Sequence, residues 1–472
     1  MATSLPNPSA FDSAWSLTAL DGRYFNEMES MRLVASEAAL NKYRLMVEAA
    51  WLLELVQLDP IKSQSPLSAK IDSLLVNMSR GQISDEILKN VKLHEQKTNH
   101  DVKAVEYALR DELLKAGGSD ALLPWIHFAC TSEDINNLSY ALMLQDLRKQ
   151  VLLPTISKIS ETIEAMAIKY SALPMLSRTH GQTATPTTLG KEMAVFVGRL
   201  NRQIGRLTEQ EILGKLNGAV GNFNAHSIAF PEIDWIQVSK NFVEHRLGLT
   251  WNGLTTQIEP HDSYVEYMST VKHINMVLLD FARDMWGYIS LGYFAQKVVA
   301  GEVGSSTMPH KVNPIYFENC EGNLGVANSL LTHFGDKLPV SRFQRDLSDS
   351  TVLRLTGTAI GHTHLAWKAL LKGLDRVDVN QKAIDEDLDQ AWEVLGEAVQ
   401  TVMRRYGVKD AYERLKKATR GEANVTREMI QKCIDDAPEI PLVDKQRLRS
   451  LTPRQYVGLA EKLCKTQMRS SR

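Results

Sequence analysis

Apolar residues recur along three stretches of this chain at alternating steps of three and four, the spacing that places them on one face of an α-helix. In the clearest, Val271, Ile274, Leu278, Phe281, Met285 and Tyr288 follow Pro260 and predict a long helix with a heptad-like seam. A second seam runs through Met193, Val197, Leu200, Ile204 and Leu207. A third, after a break at Pro154, runs through Ile156, Ile159, Ile163, Met166 and Tyr170. Helices of roughly 20 residues are rods ~30 Å long, and three of them predict an all-α bundle. Strand signal is weak throughout. The segment "LPMLSRTHGQTATPTT" mixes β-branched residues with turn formers and reads as an extended excursion before a helix that starts near Thr188 or Gly190. A heptad-like seam serves either the core of one chain's bundle or a surface on which several chains pool their helices. Rods this long bury more side chain in the second arrangement, so the pattern favours an oligomer.

Composition narrows the function classes. The chain has 472 residues, 44% hydrophobic and 23% charged, and 54 Lys plus Arg against 56 Asp plus Glu leave a formal charge of -2. No global field draws it to nucleic acid or to an anionic membrane, so any anion must be held locally. Cys130, Cys320, Cys433 and Cys464 are far apart, with no CxxC pair, which fits a reduced compartment without structural zinc. The opening "MATSLPNPSAFDSAW" lacks a basic, apolar leader, and no run approaches the ~18 apolar residues of a membrane span. The expectation is a cytoplasmic protein.

Four polar islands interrupt the helical pattern: "TNHDVKAVEY" (98–107), "HFACTSEDINN" (127–137), "SRTHGQTATP" (177–186) and "AGEVGSSTMPHKVNP" (300–314). Each has an ordinary structural reading. His100 and Asp101 suit a helix start, "TSED" has the hydroxyl-x-x-acid form of a capping box, and His180 before Gly181 suits a turn. Elimination sharpens the chemistry. His362 and His364 lack a nearby carboxylate, so a metal site is not expected, and the chain has no P-loop, no GxGxxG and no GxSxG elbow. What remains is acid–base chemistry on an anion, with histidine carrying a proton near neutral pH and the last island supplying hydroxyls, backbone N–H groups and Lys311.

Within that island, Gly304, Ser305, Ser306, Met308, Pro309, Lys311, Asn313 and Pro314 occupy every fixed position of GSSxMPxKxNP, and the segment resembles the signature loop of the fumarase/aspartase superfamily. "TNHDVKAVEY", "FACTSEDINN", "RTHGQTATP" and "GKLNGAVGN" (214–222) resemble the adenylosuccinate lyase family in its longer bacterial branch. Thr183 departs from the pattern, since proline is common there; the departure bears on loop stiffness rather than chemistry.

The resemblance implies elimination of fumarate from adenylosuccinate, giving AMP, and from the succinyl-carboxamide ribonucleotide of purine synthesis. Ser305 is implied as the base and His180 as the acid. Nucleotide and succinyl contacts are implied for Arg23, Tyr24, Asn99, His100, Asp101, Thr131, Ser132, Gln257, Ser306, Lys311, Asn313, Asn319, Arg345, Ser350, Thr351, Val352, Leu353 and Arg354. No cofactor and no metal are implied. The implied architecture is three helical domains, 1–120, 121–372 and 373–472, with four chains pooling their central bundles into a core of about 20 helices. In that homotetramer three subunits build each active site.

Overall fold

The computed structural model describes residues 15–297, 308, 311–419 and 425–470. Among the described residues helices dominate, and strands are confined to three two-stranded ribbons. The chain divides into two compact units, each assembled from separated stretches: 1–155, 204–276 and 322–366 in the first, and 156–203, 277–321 and 367–472 in the second.

The apolar seams lie where the periodicity places them. The helix Asp262–Ser290 buries Val271, Ile274, Leu278, Phe281 and Met285 completely, while Tyr288 is half-buried. Leu189–Glu209 buries Met193, Val197, Leu200 and Leu207, and Leu153–Lys169 buries Ile156, Ile159 and Ile163. Pro154 does not break the chain as expected. A π-helical turn, Leu147–Leu152, runs directly into the helix that holds Pro154 as its second residue. Proline has no N–H to give and clashes with the carbonyl four residues back. A widened turn relieves that clash, and the first turn of a helix needs no N–H there.

In the first unit the central element is Glu37–Leu55, capped by Ser36, whose hydroxyl accepts from the Ala39 N–H. It is apolar nearly all round, burying Leu45, Val47, Ala49, Trp51, Leu52 and Leu55, as a helix surrounded by others must. Ala69–Ser79, Asp101–Lys115 and Ser132–Asp146 pack around it.

In the second unit the expected excursion is a β-hairpin, Pro174–Thr179 paired antiparallel with Gln182–Thr188, followed at once by the helix starting at Leu189. Leu176 of its first strand enters the apolar cluster of the C-terminal helices, with Leu388, Leu395, Val399, Ile430 and Ile434. Among the described residues no helix is long and apolar enough to cross a membrane.

Candidate active site

In the first unit, the helices Asp85–Thr98 and Asp101–Lys115 meet at Asn99, whose φ of 49° ends one, and at His100, which caps the other. The His100 Nδ1 accepts from the Lys103 N–H at 3.2 Å, which leaves the proton of a neutral ring on Nε2. The structural reading of this island therefore holds, and it turns an exposed N–H outward. Asp101 accepts from Arg44 and Arg354 at 2.7 Å each and from the Val102 N–H at 2.9 Å. Burial works to raise its pKa, but the two guanidinium groups and the N–H outweigh it and bring the carboxyl down to about 2.

Thr131 caps Ser132–Asp146 with a full capping box, its own N–H donating to Asp134 at 2.8 Å. The Asp134 carboxylate lies entirely inside the protein. There it pairs with Lys215 at 2.8 Å and accepts from the N–H groups of Asn217 and Gly218. Asn137 adds reciprocal bonds to the Lys215 backbone. Thr131 and Ser132 thus stand on a buried polar framework that joins "TSED" to "GKLNGAVGN".

Glu133, one residue on, pairs with Arg345 at 2.9 Å; Arg345 also donates to Gln257 at 3.2 Å and lies 3.5 Å from Asp349. Asp349 in turn faces the His261 Nε2 at 3.5 Å, and the His261 N–H donates to Glu259. Burial tends to raise the Asp349 pKa, but His261, Arg345 and the Ser350 N–H hold it below the usual range. Asn136 bridges the two clusters, accepting from Arg44 and donating to Glu133. One chain of hydrogen bonds and ion pairs therefore runs Arg354–Asp101–Arg44–Asn136–Glu133–Arg345–Asp349–His261–Glu259. It brings together Asp101, Gln257, Arg345 and Arg354, and it adds Arg44, Glu133, Asp349 and His261, which sequence reasoning missed.

Other expected contacts are placed less tightly. Arg23 is exposed, with its guanidinium 5.7 Å from the Tyr24 ring centroid. Ser350, Thr351, Val352, Leu353 and Arg354 form the short helix Ser348–Leu353 and its end. Val352 and Leu353 are buried there, so a ligand would meet their backbone or the Leu353 face. Leu353 and Arg354 line a cavity of about 250 Å³ with Tyr140, Glu37 and Gly357. His127 sits deeper, bonded to the wholly buried Glu48 at 2.6 Å. Burial would lower its pKa, but the Glu48 carboxylate overrides that and lifts it to about 9, so the ring is protonated at neutral pH.

The second unit carries His180. Thr179 pairs with Gln182, leaving His180 (φ 54°) and Gly181 (φ 76°) as a two-residue turn with both residues left-handed, the form that matches strand twist. His180 is thus a turn residue, with its imidazole exposed at the hairpin tip. Of the signature loop, Ser305 and Ser306 lie outside the described residues. The Lys311 N–H donates to the Met308 carbonyl at 3.0 Å, Gln296 holds the Val312 carbonyl at 2.6 Å, and Asn313 and Asn319 flank the start of the helix Ile315–Lys337. Among the described residues no group of three His, Cys, Asp or Glu side chains is arranged to hold a metal ion. His362 and His364 bond instead to Asn323 and Ser30.

A model of the lyase family matches residues 22–328, and a model of the adenylosuccinate lyase C-terminal region matches 341–457. The adenylosuccinate lyase of Haemophilus influenzae is 49% identical over 451 residues, covering 95% of this chain and 97% of that one. The chain belongs to the adenylosuccinate lyase family. Its counterpart in Escherichia coli K12 is likewise 49% identical over 452 residues, covering 94% of this chain and 97% of the other. The adenylosuccinate lyase fold extends further: 3-carboxy-cis,cis-muconate lactonizing enzyme from Pseudomonas putida matches 93% of this chain and 96% of its own with a TM-score of 0.73 at 20% identity. That likeness concerns architecture alone.

Proposed function

We propose that the chain eliminates fumarate from adenylosuccinate, giving AMP, and from the succinyl-carboxamide ribonucleotide of purine synthesis, with Ser305 as general base and His180 as general acid. The observation that carries this reading is identity of 49% with adenylosuccinate lyases over 95% of the chain. The reaction removes a proton α to a carboxylate that is already charged, so a second negative charge gathers on the same group before the C–N bond breaks. Water stabilises such a dianion poorly. Lys311, Asn313 and loop N–H groups aimed at it would supply a few kcal/mol per well-placed donor, roughly. A serine hydroxyl is a weak acid, and cationic surroundings with Lys311 nearest in sequence lower the cost of its alkoxide. His180 then gives its proton to the departing nitrogen.

The nucleotide and succinyl groups are assigned to the polar chain around Asp101, Gln257, Arg345 and Arg354, together with Arg23, Tyr24, Asn99, His100, Thr131, Ser132, Ser306, Asn319 and Ser350 through Leu353. Arginine suits such anions because its planar fork offers paired donors. The working protein is a cytoplasmic homotetramer of three-domain chains, 1–120, 121–372 and 373–472, whose sites draw residues from three subunits. In support, the long helices expose Val195, Met276, Trp286 and Val326, while Gly287, Gly322 and Gly325 face open space. The test is turnover of both purine substrates followed by absorbance and fumarate release. Turnover of argininosuccinate or malate in their place overturns the assignment, and so does folded protein that releases no fumarate.

A further inference from the structure

Among the described residues no hydrogen bond or ion pair reaches the His180 imidazole, so within one chain its direction is set by the backbone of the turn and by whatever holds the two strands. A two-stranded hairpin has little rigidity of its own. Its base is fixed by Leu176 in the apolar cluster and by Thr185, whose hydroxyl donates to Glu397, itself held by Tyr456 at 3.1 Å. The anchor nearest the tip is Arg178, two residues before His180. One end of its guanidinium donates to Thr183, directly opposite on the second strand, at 3.2 Å, and the other pairs with Asp387 on the helix Gln381–Gln390.

Asp387 has a second partner. The same Oδ2 that receives Arg178 also receives the Tyr293 phenol, and Tyr293 is nearly inaccessible to solvent. Its ring stacks on Tyr288 at 6.1 Å and its carbonyl accepts from the Asn380 N–H at 2.8 Å, close to the start of the helix that bears Asp387. All of these residues belong to the second unit. Thr183, the departure from the family pattern, thus accepts a side-chain hydrogen bond that a proline could not.

We infer that Asp387 is a positioning residue for His180: through Arg178 it fixes the tilt of the hairpin and so the place where the proton is delivered. The inference rests on His180 being the acid. Two residues of strand make a lever of about 7 Å, so a tilt of about 8° moves the imidazole by about 1 Å, a displacement that can cost up to about a hundredfold in rate.

The test is a double-mutant cycle on the full tetramer. Asp387→Asn should lower kcat on adenylosuccinate about tenfold with KM within about twofold, and it should lower the residual turnover of His180→Ala by less than about twofold, since nothing is left to position. Tyr293→Phe, which keeps the ring and the carboxylate, should move kcat in the same direction with the same non-additivity, and it stands in if Asp387→Asn fails to fold. Equal losses in both backgrounds, or an unchanged kcat in both single variants, overturn the inference. Near-normal turnover by His180→Ala alone would instead remove the acid assignment beneath it, an outcome read before the cycle is closed.

Discussion

Lys215 Nζ lies 2.8 Å from Asp134 Oδ1, and neither side chain touches solvent. The same carboxylate holds the N–H groups of Thr131, Asn217 and Gly218, so the pair ties a helix start to a distant loop. Removing one partner of such a pair strands a charge in a medium that cannot solvate it. Lys215→Met should lower unfolding free energy by about 3–5 kcal/mol, measured by chemical denaturation. A loss below about 1 kcal/mol would mean that the backbone donors alone suffice to hold Asp134.

His226 predicts an acid sensitivity. The ring is fully buried against Trp51, Phe223 and Trp235, and among the described residues neither nitrogen has a hydrogen-bond partner. Burial pushes its pKa down to about 4; Asp134 opposes this and Lys215 adds to it. The unfolded chain therefore takes up the proton first. The contribution is complete above the unfolded value of about 6.5 and falls away as pH drops towards 4, amounting to about 2 kcal/mol lost at pH 5. His226→Phe should be as stable as the parent at pH 7 and more stable at pH 5, read from urea midpoints. Parallel pH profiles for the two proteins would refute this.

If His180 delivers the proton, His180→Ala should lower turnover of adenylosuccinate by about 10²- to 10⁴-fold and leave a small measurable residual rate. An analogue with a much better leaving group should depend on it less. Turnover by His180→Ala within about tenfold of the parent would point to another donor.

Shared sites are tested by mixing. Severely impaired His180→Ala and Ser305→Ala proteins, dissociated together and reassembled at random, should recover about a quarter of wild-type activity if each site takes the two residues from different chains. Recovery no higher than either variant alone, in confirmed mixed tetramers, would place both residues on one chain.

The helical seams were legible because periodicity is local: Val271 and Leu278 share a face whatever packs on it. The signature loop stands out in the sequence as a dense run of donors around Lys311, but its two serines lie outside the described residues. The polar chain behind Asp101 and Arg345 was not, because Arg44, Glu133, Asp349 and His261 come together only through tertiary packing. One signal did exist. In the otherwise apolar "EAALNKYRLMVEAAWLLEL", Arg44 and Glu48 sit four apart in a helix with little exposed surface, and buried charges require partners. Pro154 was misread for the opposite reason, since the breaking rule is local and the π-turn that absorbs it is not visible in a single residue.

The left-handed backbone at His180 narrows what heredity can do with that position. Histidine, asparagine and aspartate tolerate such a φ far better than β-branched or bulky residues. If His180 is the acid, a random replacement at the tip damages the hairpin and the chemistry in one event, whereas asparagine keeps the turn and silences only the proton. Lineages that shed the activity while keeping the scaffold should accordingly carry asparagine there more often than chance, and His180→Asn is the laboratory variant that separates the two losses. On that assignment, architecture and catalysis at this tip are inherited as a single trait.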